Sequence, residues 1–304
     1  MSFLKVPLPV KRPKYKVIQD YKFIPIANDE STKSALNYKP KPNDLFIVTY
    51  PKSGTTWTMQ ICMLLLNDGE LPEEVRAKDF FARIPFLELM GSKAIDDACE
   101  LMAIMTHLPF QLVPYNPKTK YIYVARNPKD VCVSCYFHNK SIYEFDGSFH
   151  EFMLFWLNGE VFYGSYKDHM LSWWEHKNDD NVLFLLYEEM KENIRGVISK
   201  IASFVGEEYK IKLEKNPEIM EKIVEKSEFS FMKQTTNKSF ENFFSSKVNI
   251  AGNLAFIRKG IIGDWKNHFT EEENEIFEKW FQNSFSGTGV ERLWDKSNVF
   301  TNLL

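Results

Sequence analysis

The sequence predicts an α/β protein built on one central parallel β-sheet flanked by helices, and three observations predict it. First, short apolar runs alternate with helical patterns. Leu45–Val48 precedes a helical segment to Leu66, Lys120–Ala125 precedes one starting at Pro128, and Val182–Leu186 precedes an apolar helix stripe. Strands separated by helices make βαβ crossovers, which set the strands parallel and cover both faces of the sheet. Second, Tyr50, His107, Arg126 and Tyr187 all fall at or just past the C-terminal ends of apolar runs. Open α/β sheets bind their ligands at that edge. Third, no repeat or linker divides the chain, so a single domain is expected over residues 44–304 behind an arm of residues 1–43.

The elements follow in order. Residues 1–43 are rich in Pro and Lys with weak periodicity, and read as an extended arm packed on the domain. The strand 45–50 feeds Tyr50-Pro51-Lys52-Ser53-Gly54-Thr55-Thr56-Trp57 and then a helix to about Leu66. A strand, a tight loop and a helix N-terminus form a site for phosphate, because loop N–H groups and the positive helix end converge there. Gly54 lets the backbone approach an anion, Lys52 supplies a charge, and Ser53, Thr55 and Thr56 supply hydroxyls. The arrangement is P-loop nucleotide-binding-like. In G-x-x-x-x-G-K-[ST] the lysine follows the glycine, whereas Lys52 precedes Gly54, so this loop is a relative and not a copy.

Residues 69–98 mix charge, Pro and Phe and predict short helices and loops. Leu101–Met105 reads as a strand leading to His107, and Lys120–Ala125 as a strand ending at Arg126. Pro128 suits the first turn of a helix running to about Lys140. Phe149–Lys177 reads as long and mostly helical, with Gly159 and Gly164 as close-packing or bend points. After the strand 182–186 and Tyr187, the residues Ile194, Val197, Ile198, Ile201, Ala202 and Val205 mark one apolar helix face. Residues 233–256 are polar and aperiodic, and read as a mobile lid.

Composition narrows the function. The chain has 304 residues, 44% hydrophobic and 26% charged, enough for a full core. A net charge of −3 excludes a global basic field for nucleic acid or a membrane surface, so an anionic ligand must be held by local cations. Met1–Pro9 lacks a signal-peptide core, Ser2 gives no myristoylation signal, and the apolar run Ile61–Leu66 is too short to span a bilayer. A cytoplasmic location is expected. Of Cys62, Cys99, Cys132 and Cys135, the last two have C-x-x-C spacing with no second pair. A reduced structural role is expected, with a redox role as the alternative.

The segment Pro51-Lys52-Ser53-Gly54-Thr55-Thr56-Trp57 resembles the 5′-phosphosulfate loop of cytosolic sulfotransferases. These enzymes move a sulfonate group from 3′-phosphoadenosine 5′-phosphosulfate (PAPS) to an acceptor hydroxyl or amine, leaving adenosine 3′,5′-bisphosphate. Tyr123–Ser134 is similar to the family's 3′-phosphate segment, Arg258–Trp265 to its C-terminal cofactor signature, and Thr106-His107-Leu108-Pro109 to its catalytic-histidine segment. Tyr187–Lys191 and the stretch around Gly159–Trp174 also match, in family order, over roughly residues 40–280.

The resemblance implies roles. His107 is the general base of an in-line displacement, and an imidazole suits that task near neutral pH. Lys52 hydrogen-bonds the bridging oxygen, and Ser134 holds Lys52 away until the acceptor arrives. Ser53, Gly54, Thr55 and Thr56 hold the 5′-phosphate, and Trp57 lies beside the adenine. Arg126 and Ser134 clamp the 3′-phosphate, completed by Ile257, Arg258, Lys259 and Gly260. Tyr187, Ser227 and Phe229 contact adenine. Phe80, Phe81, Phe86, Tyr136, Phe137, Phe145 and Phe152 fall in acceptor-wall segments, with Phe81, Phe86, Phe137, Phe145 and His107 the selected contacts. No metal is implied.

Three positions depart from the family pattern. Met105 stands where a lysine is common, Ser227 where threonine is common, and Glu271 replaces the valine of the dimer motif otherwise kept as Lys266, Thr270 and Glu275. A monomer or weak homodimer is therefore expected. Two alternatives remain. A P-loop nucleotide kinase would need a magnesium-binding aspartate where Asn127 and Pro128 follow Arg126. A non-catalytic PAPS-binding module would not need His107 and Lys52. The acceptor stays open between phenols, catecholamines, steroids and other small compounds.

Overall fold

The computed structural model describes residues 11–76, 81–98, 100–245 and 257–295. Its centre is a parallel sheet of four strands in the order β4-β3-β5-β6, where β3 is Leu45–Thr49, β4 Ile104–Thr106, β5 Lys120–Ala125 and β6 Val182–Leu186. Register pairs Val48 with Thr106 on one side and with Tyr123 on the other, and Ala125 with Leu186. Phe46, Ile47, Val48, Ile122, Tyr123 and Val124 are all fully buried. That is why these strands read as continuous apolar runs, since a parallel sheet is covered on both faces.

Crossover helices do the covering. Thr55–Leu66 follows β3, Pro128–Ile142 follows β5, and Tyr187–Glu192 and Ile194–Val205 follow β6. In the last of these Val197, Ile198, Ile201 and Ala202 are buried, as their spacing predicts. β4 is shorter than the expected 101–105 strand. Phe86 forms an isolated bridge to Met105 beside it.

Three expectations change. The region Phe149–Lys177 is two helices, Phe149–Leu157 and Tyr166–Trp174. Gly159 sits at φ 65°, and a Cβ there would meet the Ser165 backbone nitrogen at 3.0 Å, so the chain breaks where only glycine fits. The segment read as a lid from residue 233 is helical to residue 245, within Phe229–Ser245, and residues 246–256 lie outside the described residues. Its Met232, Thr236, Ser239 and Phe244 are buried, so packing overrides the weak periodicity. The arm is more than extended chain. It forms a hairpin of β1 (Lys16–Ile18) and β2 (Tyr21–Phe23), then the helix Asp29–Leu36. Tyr163 N–H donates to the Lys22 carbonyl at 2.7 Å, pinning the hairpin near the helix break.

Cys62, Cys132 and Cys135 are buried free thiols, pushed up by burial, which fits the reduced structural reading. Cys99 lies outside the described residues. No described helix is long and apolar enough to cross a membrane.

Candidate active site

The four strands end at residues 49, 106, 125 and 186. Tyr50, His107, Arg126 and Tyr187 are the next residue in each case, so the sheet's C-terminal edge gathers them. A cavity of about 160 Å3 opens along that edge. Lys52, Gly54, Thr55, Thr56, Trp57, Arg126, Ser134, Tyr187, Ser227, Phe229, Ile257, Arg258, Lys259 and Gly260 line it, together with His107, Phe81 and Phe86. Segments distant in sequence thus converge on one space.

The loop after β3 is built to accept an anion. Ser53 N–H bonds back to the Tyr50 carbonyl at 3.1 Å, Lys52 takes φ 71° and Gly54 φ 116°. A Cβ on Gly54 would meet Tyr187 Cδ2 at 2.9 Å, so glycine is required by conformation and by space. The helix 55–66 begins there with no side-chain cap and no acid in its first turn. The helix 128–142, by contrast, is capped by Asn127, and the helix 149–157 by a Ser148–Glu151 capping box. An uncapped helix start beside a lysine leaves N–H groups directed at a ligand. Ser53 differs from expectation. It is fully buried, its hydroxyl has no hydrogen-bond partner, and it does not line the cavity.

His107 is held from three sides. Its Nδ1 lies 2.8 Å from the Thr49 carbonyl oxygen and 3.2 Å from Thr49 Oγ1. A carbonyl only accepts, so Nδ1 carries the proton and Nε2 is left as the basic nitrogen. The His107 backbone N–H donates to Glu88 Oε1 at 2.7 Å. Its carbonyl accepts from His169 Nε2 at 3.0 Å, and Tyr123 donates its hydroxyl to His169 Nδ1 at 3.1 Å. Burial lowers His107 to about 4, outweighing the Thr49 contact, so the ring is neutral near pH 7. Burial likewise raises Glu88 to about 7, against the pull of the His107 N–H. Burial draws Lys52 down to about 8, with repulsion from Arg126 and Arg258 adding to it.

Arg126 is buried, donates to the carbonyls of Lys52 at 3.2 Å and Ile261 at 3.1 Å, and lies 4.3 Å from the Tyr187 ring centroid. Its Nε has no hydrogen-bond partner. Arg258 and Lys259 both bond Asp264, at 2.5 and 2.7 Å. Burial would raise Asp264, but these two cations win and hold it below the carboxylate range. Asp130 accepts from Gly263 N–H at 2.7 Å and Trp265 N–H at 3.0 Å, fixing this C-terminal segment to the helix 128–142. Trp57 meets Tyr187 edge-on at 5.4 Å, with Lys191 Nζ 4.8 Å from its ring centroid.

The acceptor-side expectations split. Phe81 and Phe86 line the cavity, and Phe86 meets the His107 ring edge-on at 5.3 Å. Phe137 and Phe145 do not line it. Phe137 lies under Arg258 at 4.5 Å, while Phe145 packs on Tyr136 and Phe152 in the core. Tyr136 and Phe152 also lie off the cavity, and Phe80 is outside the described residues. In their place stand Ile24, Met105, His138, Tyr143, Phe162, Tyr163, Met232 and Phe244. His138 had a signal in the sequence. It is four residues after Ser134 on one helix, and i, i+4 positions share a face. Ile24 and Glu88 had none, because only the fold brings them near His107.

The cavity therefore joins a cationic anion-binding end to an aromatic end with a neutral imidazole between them. The sulfotransferase domain model matches residues 42–289. Sulfotransferase 1E1 of Cavia porcellus is 36% identical over 269 residues, covering 84% of this chain and 87% of that protein. The amine sulfotransferase of Oryctolagus cuniculus is also 36% identical, over 85% of this chain and 86% of its own length. Among solved structures, mouse sulfotransferase SULT7A1 complexed with PAP matches with a TM-score of 0.72 at 30% identity, over 91% of this chain and 96% of that one.

Proposed function

The chain belongs to the sulfotransferase family and is a PAPS-dependent sulfotransferase, and from that premise we propose that it sulfonates the hydroxyl or amine of a small aromatic or hydrophobic acceptor with His107 as general base. The single observation that carries this reading is the fixed tautomer. With Nδ1–H given to the Thr49 carbonyl, the basic Nε2 is the nitrogen available to a ligand, and His107 and Lys52 line the same cavity.

The residues present fit the cofactor. The uncapped helix start and the positive-φ turn at Gly54 suit a 5′-phosphate held by Gly54, Thr55 and Thr56. The unpartnered Arg126 Nε, with Ser134, Ile257, Arg258, Lys259 and Gly260, suits a 3′-phosphate. Trp57, Tyr187, Ser227 and Phe229 supply the surface for adenine. When bound, PAPS supplies the activated sulfonate.

The chain's own residues do the rest. His107 Nε2 takes the acceptor proton as the acceptor oxygen becomes nucleophilic. Lys52 keeps a positive charge where negative charge develops on the leaving oxygen, and Ser134 positions Lys52. Most of the rate then comes from orientation and preorganised charge. Phe81 and Phe86 orient the acceptor ring against His107. Ser53 acts through loop geometry, since its side chain is turned into the protein. We propose further that the protein works in the cytoplasm, without a metal, as a monomer or weak dimer. Glu271 supports the last point. It is exposed in the first turn of the helix Glu271–Phe285, where an acid is favourable.

The test is a screen of phenols, catecholamines and steroids with labelled PAPS, with and without a magnesium chelator. Sulfonated product from at least one acceptor class, unaffected by the chelator, is expected. Binding of adenosine 3′,5′-bisphosphate with no product from any acceptor would favour the non-catalytic module.

A further inference from the structure

The acceptor end of the cavity is not uniformly apolar. His107, Tyr163, Phe162 and His138 form a continuous run of rings, with successive centroids 5.1, 6.1 and 6.0 Å apart. Tyr143 closes the far end, 5.8 Å from His138 and 5.6 Å from Phe162. Both His138 and Tyr143 line the cavity. Tyr143 is 3% exposed, and its buried hydroxyl has no hydrogen-bond partner among the described residues. A buried hydroxyl left unpaired is costly, and such groups mark places where a ligand completes the bonding.

Resting on the reading of His107 as the base, we propose that His138 and the Tyr143 hydroxyl form a specificity site for a second hydrogen-bonding oxygen on the acceptor, so that the preferred substrate is an uncharged aromatic carrying one hydroxyl at His107 and a second hydroxyl or carbonyl at the other end. The chemistry is complementary. An imidazole and a phenol together offer donors and acceptors, so they satisfy a hydroxyl or a carbonyl oxygen.

The charge of the substrate follows from what lines the cavity. Among the described residues the carboxylate on its wall is Asp264, which is committed to Arg258 and Lys259. Glu88 sits behind His107, bonded to its backbone, and is not on the wall. A protonated amine would meet no free carboxylate among the described residues and would share the cavity with Lys52, beside an imidazole that burial keeps neutral, since His138 is driven well below the ordinary histidine range. A site built to bond a polar group rejects analogues that lack it, because the buried Tyr143 hydroxyl is then left unpaired.

The experiment compares three acceptors of one shape: 2-naphthol, 2,6-dihydroxynaphthalene and 6-(aminomethyl)-2-naphthol. Calorimetry gives their affinity for the enzyme saturated with adenosine 3′,5′-bisphosphate, and turnover with PAPS is measured in parallel. We expect the diol to bind about tenfold or more tightly than 2-naphthol, and the amine to bind weakest. In Tyr143→Phe and in His138→Phe the diol-to-naphthol ratio should fall by about five- to tenfold. Retained nucleotide binding shows that each variant is folded. A wild-type ratio near one, a ratio unchanged in both variants, or preference for the amine overturns the proposal. The binding ratio does not depend on turnover. Diol selectivity without sulfonation would therefore sink the His107 reading and leave the subsite standing, and sulfonation without selectivity would do the reverse.

Discussion

The two ends of the cavity are built by opposite means. At the phosphate end, Lys52, Arg126, Arg258 and Lys259 come from short contiguous segments, each fixed by its own backbone: a loop after β3, the residue after β5, and a turn tied to Asp130. At the acceptor end, Ile24, Phe86, Met105, His138, Phe162 and Phe244 come from an N-terminal hairpin, three helices or their ends, a strand and a helix break. In the proposed reading the first end takes a ligand of fixed charge, for which a few backbone-fixed cations suffice. The second would select by shape and by a few polar contacts, and its wall is assembled from remote parts of the chain.

The sharpest test of that division is to remove the group between the two ends. His107→Ala should lower kcat by about 10²–10⁴-fold. The dissociation constant of adenosine 3′,5′-bisphosphate should stay within about twofold, because no phosphate contact is assigned to this side chain. Comparable turnover in the variant, measured with a good acceptor, would break the assignment.

Lys52→Met should cost about 10²–10³ in kcat, the scale of losing one charge-stabilising donor. The pH dependence sharpens the point. Lys52 must stay protonated, and its lowering to about 8 places the basic limb of kcat/KM near that pH. His107 must stay unprotonated, and its lowering to about 4 leaves no acid limb near 6.5. An acid limb near pH 6.5, or a basic limb unchanged in the methionine variant, would contradict these roles. Stability carries the same sign for His107. Between its unfolded 6.5 and folded value of about 4, the unfolded chain binds more protons, so its contribution is lost as pH falls through that window. The difference in denaturant melts between the wild type and His107→Ala across pH 4–7 reads this out, because Glu88, which is raised and acts with the opposite sign, and the lowered His138 and His169 are present in both proteins.

Arg126→Ala tests the phosphate end alone. It should weaken adenosine 3′,5′-bisphosphate by about 10–150-fold and erase most discrimination against adenosine 5′-phosphate, while diol selectivity at the acceptor end persists. Equal wild-type affinity for the two nucleotides in calorimetry would remove the 3′-phosphate clamp. The smallest effect lies outside the cavity. Glu271→Val should tighten self-association on the order of fivefold, the scale of one exposed charge, by sedimentation over a concentration series. A tight wild-type dimer indifferent to the change would place the interface elsewhere.

The chain's local chemistry made the sheet and the loop after β3 legible, and the family resemblance pointed to the other residues that line the cationic end of the cavity. Strand runs such as Leu45–Val48 are apolar throughout because both faces are covered, and Gly54 marks a place where the backbone is free to take the positive φ it has here. His107 was legible through its place after a strand, and the family resemblance supplied the remainder. Ser53, Phe137 and Phe145 show the limit. Each lies in the right segment, yet one side chain is turned into the protein and two pack away from the cavity. Which face of a helix meets a ligand depends on what packs against the other face, and that is settled by contacts distant in sequence. The Thr49 carbonyl that sets the His107 tautomer and the Glu88 carboxylate behind it are decisions of the tertiary structure. The sequence named the residues that line the cationic end of the cavity; at the aromatic end it named Phe81 and Phe86, and packing decided the rest.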